Sequence, residues 1–266
     1  MKFLKTILCC ICLLTAAAAP AQRLQDVNAV GWYSVSGTVY ITTKTSLWLE
    51  YQWRRENIIT NWQQSLPRIG IQRHLKDGVS ILAGYAYPVA FPYGDYPAGP
   101  HPVPEHRIFE QLMWNGTTGR VVFNHRLRLE QRFIGKVNQS AADMEIDGWR
   151  YVNRVRYQLR AAIPLNHKTM KDKTWYLLPY DEIFIGFGKN VGQNIFDQNR
   201  AGLLLGYQLN KSFRFEGGYF NQTVLQGSLV TGKQVVQYNH GVLLGAFVTK
   251  YKSKKPAKRV IVPANP

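Results

Sequence analysis

Strict alternation between apolar and polar side chains constrains this chain more than any other feature of its sequence. Across Tyr151–Ala161 one face carries mainly aromatic and aliphatic residues, whereas Arg154, Arg156 and Arg160 all fall on the other face. Charges collect on one side at a period of two, which is the period of a β-strand, whereas a helix would spread them around its circumference. Residues 123–133 repeat the pattern. The chain is therefore predicted to consist of β-strands.

About eleven such segments follow one another, each close to the nine to eleven residues that a tilted membrane-spanning strand needs. Short turns such as 76–78 alternate with longer connections, among them Pro88–Pro104, Ile134–Gly148 and Thr223–Gln234. This order is typical of a single up-and-down antiparallel transmembrane β-barrel. We expect an all-β barrel of 10–12 strands, and we favour twelve because bacterial single-chain barrels have even strand numbers.

The first residues predict export. Lys2 and Lys5 precede the apolar run Thr6–Ala19, and Ala19-Pro20-Ala21 offers small residues at a cleavage site, as in a secretory signal peptide. We therefore expect a cleaved leader at 1–21, a barrel at 22–249 and a disordered basic tail at 250–266. All three cysteines lie in the leader, so the remaining chain has no disulfide, thiolate metal site or cysteine nucleophile.

Aromatic residues near the strand ends favour a membrane barrel over a soluble, lipocalin-like barrel. Trp and Tyr prefer the two membrane–water interfaces, and the apolar faces between them can meet acyl chains. The residues assigned to these outward belts are Trp32, Trp53, Tyr87, Trp114, Trp149, Trp175, Tyr176 and Tyr207.

The polar faces are almost wholly arginine and glutamate, with little lysine, which suits a confined interior better than a solvated surface. We assign twelve arginines and five glutamates to the inside, which predicts an anion-leaning lumen. Two interpretations stay open: a packed ion-pair network that plugs the barrel, and a narrow pore or anion pocket. The residues chosen for this polar network are Glu105, Arg107, Arg126, Arg128, Glu130, Arg132, Arg154, Arg156, Arg160, Glu182, Arg200 and Glu216.

The formal net charge of +17 falls to +15 once Lys2 and Lys5 leave with the leader. In a cytosolic protein this balance would indicate nucleic acid, but an exported chain is expected to meet anionic lipid or solutes instead. The expected partners are outer-membrane lipid and small anions, without nucleic acid. The sequence does not determine an oligomeric state.

Several short motifs of the chain resemble those of one family. They are Glu105-His106-Arg107, the run from His125 to Phe133, Arg154-Val155-Arg156-Tyr157, Asp197-Gln198-Asn199-Arg200 and Glu216-Gly217-Gly218-Tyr219. As a set they resemble the domain of unknown function 2490, a family common in Bacteroidota, over about Gly31 to Val248. The resemblance implies a secreted outer-membrane barrel and implies no activity.

Catalytic and cofactor signals are weak. His125 and His240 lie on predicted apolar faces, but no Gly-x-Ser-x-Gly motif and no well-placed serine accompanies them. We expect no cofactor and no metal. Three functions stay open: a structural or passive-transport barrel, which we favour; an outer-membrane enzyme acting on lipid or polysaccharide; and a module that binds a ligand or partner through the loop Pro88–Pro104.

Overall fold

The computed structural model describes residues 23–192 and 194–251. Every regular element in them is a β-strand, as the alternation predicts. The strands are β1 (Leu24–Tyr40), β2 (Thr45–Glu56), β3 (Asn61–His74), β4 (Ser80–Ala86), β5 (Val89–Ala90), β6 (Val103–Thr118), β7 (Val121–Val137), β8 (Ile146–Pro164), β9 (Thr174–Phe187), β10 (Phe196–Gln208), β11 (Phe213–Val230) and β12 (Lys233–Tyr251). The predicted leader and nearly all of the predicted tail lie outside the described residues.

The sheet closes into a barrel whose wall is eleven strands around, and we call each place in this circle a wall position. β4 and β5 fill one position, because both pair with β3 on one side and with β6 on the other. The break between them falls at Pro88, which has no N–H to donate to the ladder. The chain therefore has twelve strands, but eleven positions around the wall.

The closing pair corrects the expected topology. β1 and β12 run parallel in unbroken register, from Leu24 opposite Val235 to Tyr40 opposite Tyr251. Hairpins reverse the chain at each step, so an odd number of wall positions leaves the first and last strands pointing the same way. The preference for twelve antiparallel strands was wrong because the even-number rule does not hold for this barrel.

The longer connections 91–102, 138–145 and 188–195 lie at one end of the barrel, whereas the connection 165–173 is a long one at the end with the short turns. The loop of residues 91–102 joins β5 to β6, but the predicted long loop Thr223–Gln234 is absent. β11 and β12 extend instead to a two-residue turn, Thr231-Gly232, in which both residues have positive φ as a tight hairpin requires. The polar residues that resemble a loop lie within β11, where the pairing with β12 shifts register between Leu225 and Leu229.

Alternate residues of each strand point into and out of the barrel. On β7, Arg126 and Arg128 are each 1% exposed, whereas Leu127 and Leu129 are 40% and 37% exposed. The prediction that Trp32 and Tyr176 belong to the outward aromatic belts was wrong, because both side chains are buried inside the barrel. Tyr176 follows Trp175 directly, and adjacent residues of a strand cannot share a face.

Candidate functional site

The barrel interior brings the twelve residues of the predicted polar network close to one another. All are buried except Arg132 and Arg200, which are half-buried. In the described residues, the interior ion pairs join nine arginines to six carboxylates. The arginines are Arg68, Arg107, Arg126, Arg128, Arg132, Arg154, Arg156, Arg160 and Arg214, and the carboxylates are Glu50, Glu105, Glu130, Glu182, Asp197 and Glu216.

Glu130 of β7 is the most crowded of these carboxylates. Its two oxygens accept hydrogen bonds from Arg154 Nη2 at 2.5 Å and from Arg156 Nη1 at 2.6 Å. Arg107 Nη1 and Arg128 Nη1 each lie 3.7 Å from Oε1. Four guanidinium groups therefore surround one carboxylate that is fully buried. Such a carboxylate is held ionised by its partners and holds them in turn.

Arg156 connects this cluster to a second one. Its Nε and Nη2 donate to Glu182 Oε1 at 3.0 and 2.7 Å, while its Nη1 bonds Glu130. Arg126 Nη2 also donates to Glu182 at 2.7 Å. A chain of alternating charges thus runs from β7 through β8 to β9. The planar guanidinium groups make paired hydrogen bonds to the carboxylates and so fix the side chains in place.

Two further carboxylates organise the remaining predicted residues. Glu105 accepts from Arg107 at 2.6 Å and from two nitrogens of Arg132 at 2.8 and 2.9 Å. Glu216 accepts from Arg160 at 2.5 Å and from the Tyr176 hydroxyl at 2.8 Å. Arg160 lies on β8 and Glu216 on β11, so this bond crosses the interior.

Arg54 and Arg200 make no ion pair with a carboxylate among the described residues. Their guanidinium carbons lie 3.8 and 4.7 Å from the ring centroid of Trp32. Arg54 is on β2 and Arg200 is on β10, four positions away around the wall. Cation–π contacts with one buried indole therefore join distant parts of the barrel. A cavity of about 20 Å³, large enough for a water molecule, lies beside these groups.

Some residues of the network escaped the sequence analysis. Asp197 was noted only within a family motif, yet its carboxylate lies 2.5 Å from Arg154 Nη1. A register shift between Phe196 and Gln198 changes the alternation at Asp197, so the pattern of β10 does not predict its inward direction. Trp32 was assigned outside, although it shares its parity with Ser34 and Ser36, which also point inward. This shared parity was the sequence signal that could have placed Trp32 inside the barrel.

The loop of residues 91–102 folds into the barrel mouth at the long-loop end. The Tyr93 hydroxyl donates to Gln237 Oε1 at 3.2 Å and accepts from Asn239 Nδ2 at 3.1 Å. The main-chain N–H groups of Gly94 and Asp95 donate to Glu56 and Asp26 at 3.0 and 3.2 Å. Burial raises the pKa of the Tyr93 hydroxyl, so it stays a neutral donor. We call residues 91–102 the cap loop.

The opposite, short-turn half of the barrel encloses a cavity of about 1640 Å³. Its wall includes residues from four of the five turns at that end, such as Lys44, Lys76, Lys173 and Lys211. Its inner end is formed by residues near mid-barrel, including Arg128. We call this cavity the cup. It lies between the ion-pair network and the short turns.

The two histidines considered for catalysis point outward and bond tyrosines. His125 Nδ1 lies 2.8 Å from the Tyr157 hydroxyl, and His240 Nδ1 lies 2.6 Å from the Tyr219 hydroxyl. Neither has a serine among the hydrogen-bond partners found in the described residues. The same part of the chain contains no group of three or more metal-ligating side chains and no helix with the length and hydropathy of a membrane span.

Comparison with known proteins identifies the family. The model of the family described as "Protein of unknown function (DUF2490)" matches residues 30–230. The chain belongs to this family. The match confirms the resemblance seen in the motifs and covers most of β1 and all of β2 to β11. No curated protein and no solved structure matches the chain significantly.

Proposed function

We propose that this DUF2490 protein is an exported outer-membrane barrel whose arginine–carboxylate interior serves as a structural plug. The observation that carries the proposal is the pairing of buried Arg and Glu side chains inside a wall whose outer surface is apolar. Glu130, Glu182 and Arg156 are each at most 3% exposed. An open aqueous pore would leave such groups in contact with water.

The outer surface supports a bilayer location. On β9, the outward residues Trp175 and Phe187 are 45% and 44% exposed and lie near opposite ends of the strand. Twelve residues at ~3.3 Å per residue, tilted by about 40°, separate them by about 30 Å along the barrel axis, close to the thickness of a hydrocarbon core. On the outer surface between the levels of Trp175 and Phe187, most side chains are leucine, isoleucine or valine. Examples are Ile69, Leu203 and Leu244.

Two outward carboxylates interrupt this surface. Glu110 accepts from Gln131 at 3.1 Å, and Asp181 accepts from Asn199 at 3.1 and 3.2 Å. Each has an amide donor on a neighbouring strand, which lowers the cost of leaving water. Carboxylates on the lipid face cost less than arginine or lysine at the same depth. They are therefore compatible with a bilayer.

The location is tested by membrane fractionation and gel migration. We expect the protein to co-fractionate with the outer membrane, to require detergent for extraction and to change its gel migration on boiling. Recovery in the soluble periplasmic fraction without detergent would exclude the proposal.

The plug is tested by conductance of the purified protein in a planar bilayer. We expect no steady current, because Arg54, Arg200 and Trp32 meet inside the barrel and the cap loop covers the mouth at the long-loop end. Passive anion transport is the second candidate, favoured by the nine arginines that face six carboxylates in the network. A steady anion-selective current would establish transport and overturn the plug.

A further inference from the structure

The cup is large enough to receive a ligand of several rings. Its volume of about 1640 Å³ exceeds the roughly 300–1,000 Å³ of common small-molecule sites. The ion-pair network closes it towards the long-loop end, so a molecule that enters between the short turns meets a blind end. This shape suits binding better than passage.

The wall of the cup is strongly cationic. Among the described residues, eight lysine and arginine side chains line it, and the acids that line it are Asp77 and Asp172. Lys76 and Lys211 come from different turns, so the positive charge surrounds the entrance. Such a field attracts anions and raises their local concentration.

Some buried polar atoms in the wall of the cup, both donors and acceptors, have no hydrogen-bond partner among the described residues. In the part of the chain that the structure describes, Arg128 Nη1 makes no hydrogen bond and only a 3.7 Å ion pair with Glu130, and the side-chain oxygens of Asn124 and Gln208 accept no hydrogen bond. All three side chains line the cup and are at most 4% exposed. Gln111 Nε2 donates to the Met113 sulfur, which is a weak acceptor. An acyl chain would satisfy neither kind of atom, whereas the several hydroxyl groups of a saccharide, each of which donates and accepts, can satisfy both at separate places on the wall.

Aromatic rings line the cup beside these polar groups. Trp48 is on the inner wall, and Tyr40 stacks on Tyr251 near the entrance with centroids 5.0 Å apart and planes 8° apart. Flat apolar surfaces of this kind pack against the C–H faces of sugar rings, while amides and guanidiniums bond the hydroxyls.

From these features we propose that the cup binds an acidic oligosaccharide, a short saccharide that carries carboxylate, sulfate or phosphate groups. Lysines at the entrance attract its charges, Trp48 packs against a ring, and Arg128, Asn124 and Gln208 bond its polar groups after small side-chain rotations. The inference concerns the cup alone and does not depend on the bilayer location.

The test is isothermal titration calorimetry of the full chain, folded in a polyoxyethylene detergent, with trigalacturonate as the probe. Maltotriose serves as the neutral saccharide, dodecanoate as the anionic amphiphile, and inorganic phosphate as the bare anion. We expect saturable one-site binding of trigalacturonate and at least tenfold weaker binding of the other three.

Variants locate the site. Trp48→Leu is expected to weaken trigalacturonate binding at least tenfold, with Trp175→Leu on the outer face as its matched control. The double variant Lys76→Gln/Lys211→Gln is expected to weaken binding about tenfold and to reduce its salt dependence, even if Trp48→Leu does not fold. Lys189→Gln, in a loop at the other end, is the charge control.

Three results would overturn the inference. They are absence of trigalacturonate binding, tighter binding of dodecanoate or phosphate than of trigalacturonate, and binding that both cup variants leave unchanged. Failure of the outer-membrane proposal is detected separately by fractionation, because calorimetry reports only on the cup.

Discussion

At the scale of single residues, Glu130 shows how a buried carboxylate organises an interior rich in arginine. It is 0% exposed and accepts from Arg154 and Arg156, with two more guanidiniums at 3.7 Å. Removing one member of a buried charge pair leaves the partner desolvated and uncompensated, which costs more than the pair itself contributes. Glu130 is therefore the position where one substitution should affect the network most.

We predict that Glu130→Gln lowers the free energy of unfolding by roughly 3–5 kcal/mol, since the isosteric amide keeps the volume but removes the counter-charge. The measurement is denaturant unfolding of the detergent-folded protein followed by tryptophan fluorescence. The control is Glu110→Gln on the outer face, expected to change stability by about 1 kcal/mol or less. Equal losses for the two variants would mean that the interior pairs are not the main electrostatic support of the barrel.

Trp32 shows where single-sequence reasoning stops at this scale. Its parity on β1 places it inside, but nothing in the sequence indicates that Arg54 and Arg200 stack on it. Those contacts depend on which strands face each other across the barrel, and this follows from the number of wall positions and the stagger of the strands. Neither quantity can be read from the alternation of β1, β2 or β10 alone.

At the scale of elements, the cap loop depends on a backbone shape that few residues can adopt. Gly94 has φ of 77°, and a Cβ there would lie 2.4 Å from Asp26 Oδ2 and 2.9 Å from Asn28 Oδ1. The Asp26 carboxylate also accepts from Gln237 Nε2 at 2.9 Å and from the main-chain N–H of Asp95 at 3.2 Å, so moving either the loop or this side chain away from the contact would break a hydrogen bond at the mouth.

We predict that Gly94→Ala displaces the cap loop without unfolding the barrel. Limited proteolysis should cleave within residues 91–102 at least several-fold faster, while the change in gel migration on boiling stays as in the unsubstituted protein. The matched control is Gly119→Ala, because Gly119 also has positive φ but open space around its Cβ position. Equally accelerated cleavage within residues 91–102 in both variants would show that general destabilisation of the barrel, and not the contact with Asp26, determines the effect.

The strands divide into those that the sequence predicts well and those that it does not. β7 and β8 are evident because every arginine falls on one parity and the opposite face is apolar. The β11–β12 hairpin is not, because Gln226-Gly227 reads as a loop while the structure holds it in a strand with a register shift. Periodicity fails where a bulge changes the parity within one element.

At the scale of the whole molecule, the odd number of wall positions follows from one interrupted strand, and it makes the closing pair β1–β12 parallel. The sequence suggests about eleven segments, and only the even-number rule moved the expectation to twelve. The parallel β1–β12 pair also places Leu24 at the long-loop end and Tyr251 at the short-turn end. The first strand therefore starts at one end of the barrel, and the last strand finishes at the other end.

The environment of the outer surface can be measured by one substitution at mid-barrel and one at the edge. Leu129 is 37% exposed near the middle of the wall, and Leu165 is 51% exposed beside a short turn. Glu110 lies directly opposite Leu129 on β6, so both variants are made in the Glu110→Gln background, where this carboxylate cannot pair with the new arginine. In a bilayer, Leu129→Arg should then lower the stability of the vesicle-folded protein by about 2–4 kcal/mol, and Leu165→Arg by about 0–1 kcal/mol, because the cost of a guanidinium rises towards the midplane.

In water the two variants should behave alike, since an arginine on an exposed strand face usually changes stability by about 0.5 kcal/mol or less. Denaturant titration of both variants in lipid vesicles therefore distinguishes the environments by the difference between them, without reference to the absolute stability. A difference near zero would mean that the leucine face meets water or another protein surface, and the apolar exterior would then require a partner in place of lipid. A difference of about 2 kcal/mol or more would agree with acyl chains around the leucines and with the inward direction of the arginines on the same strands.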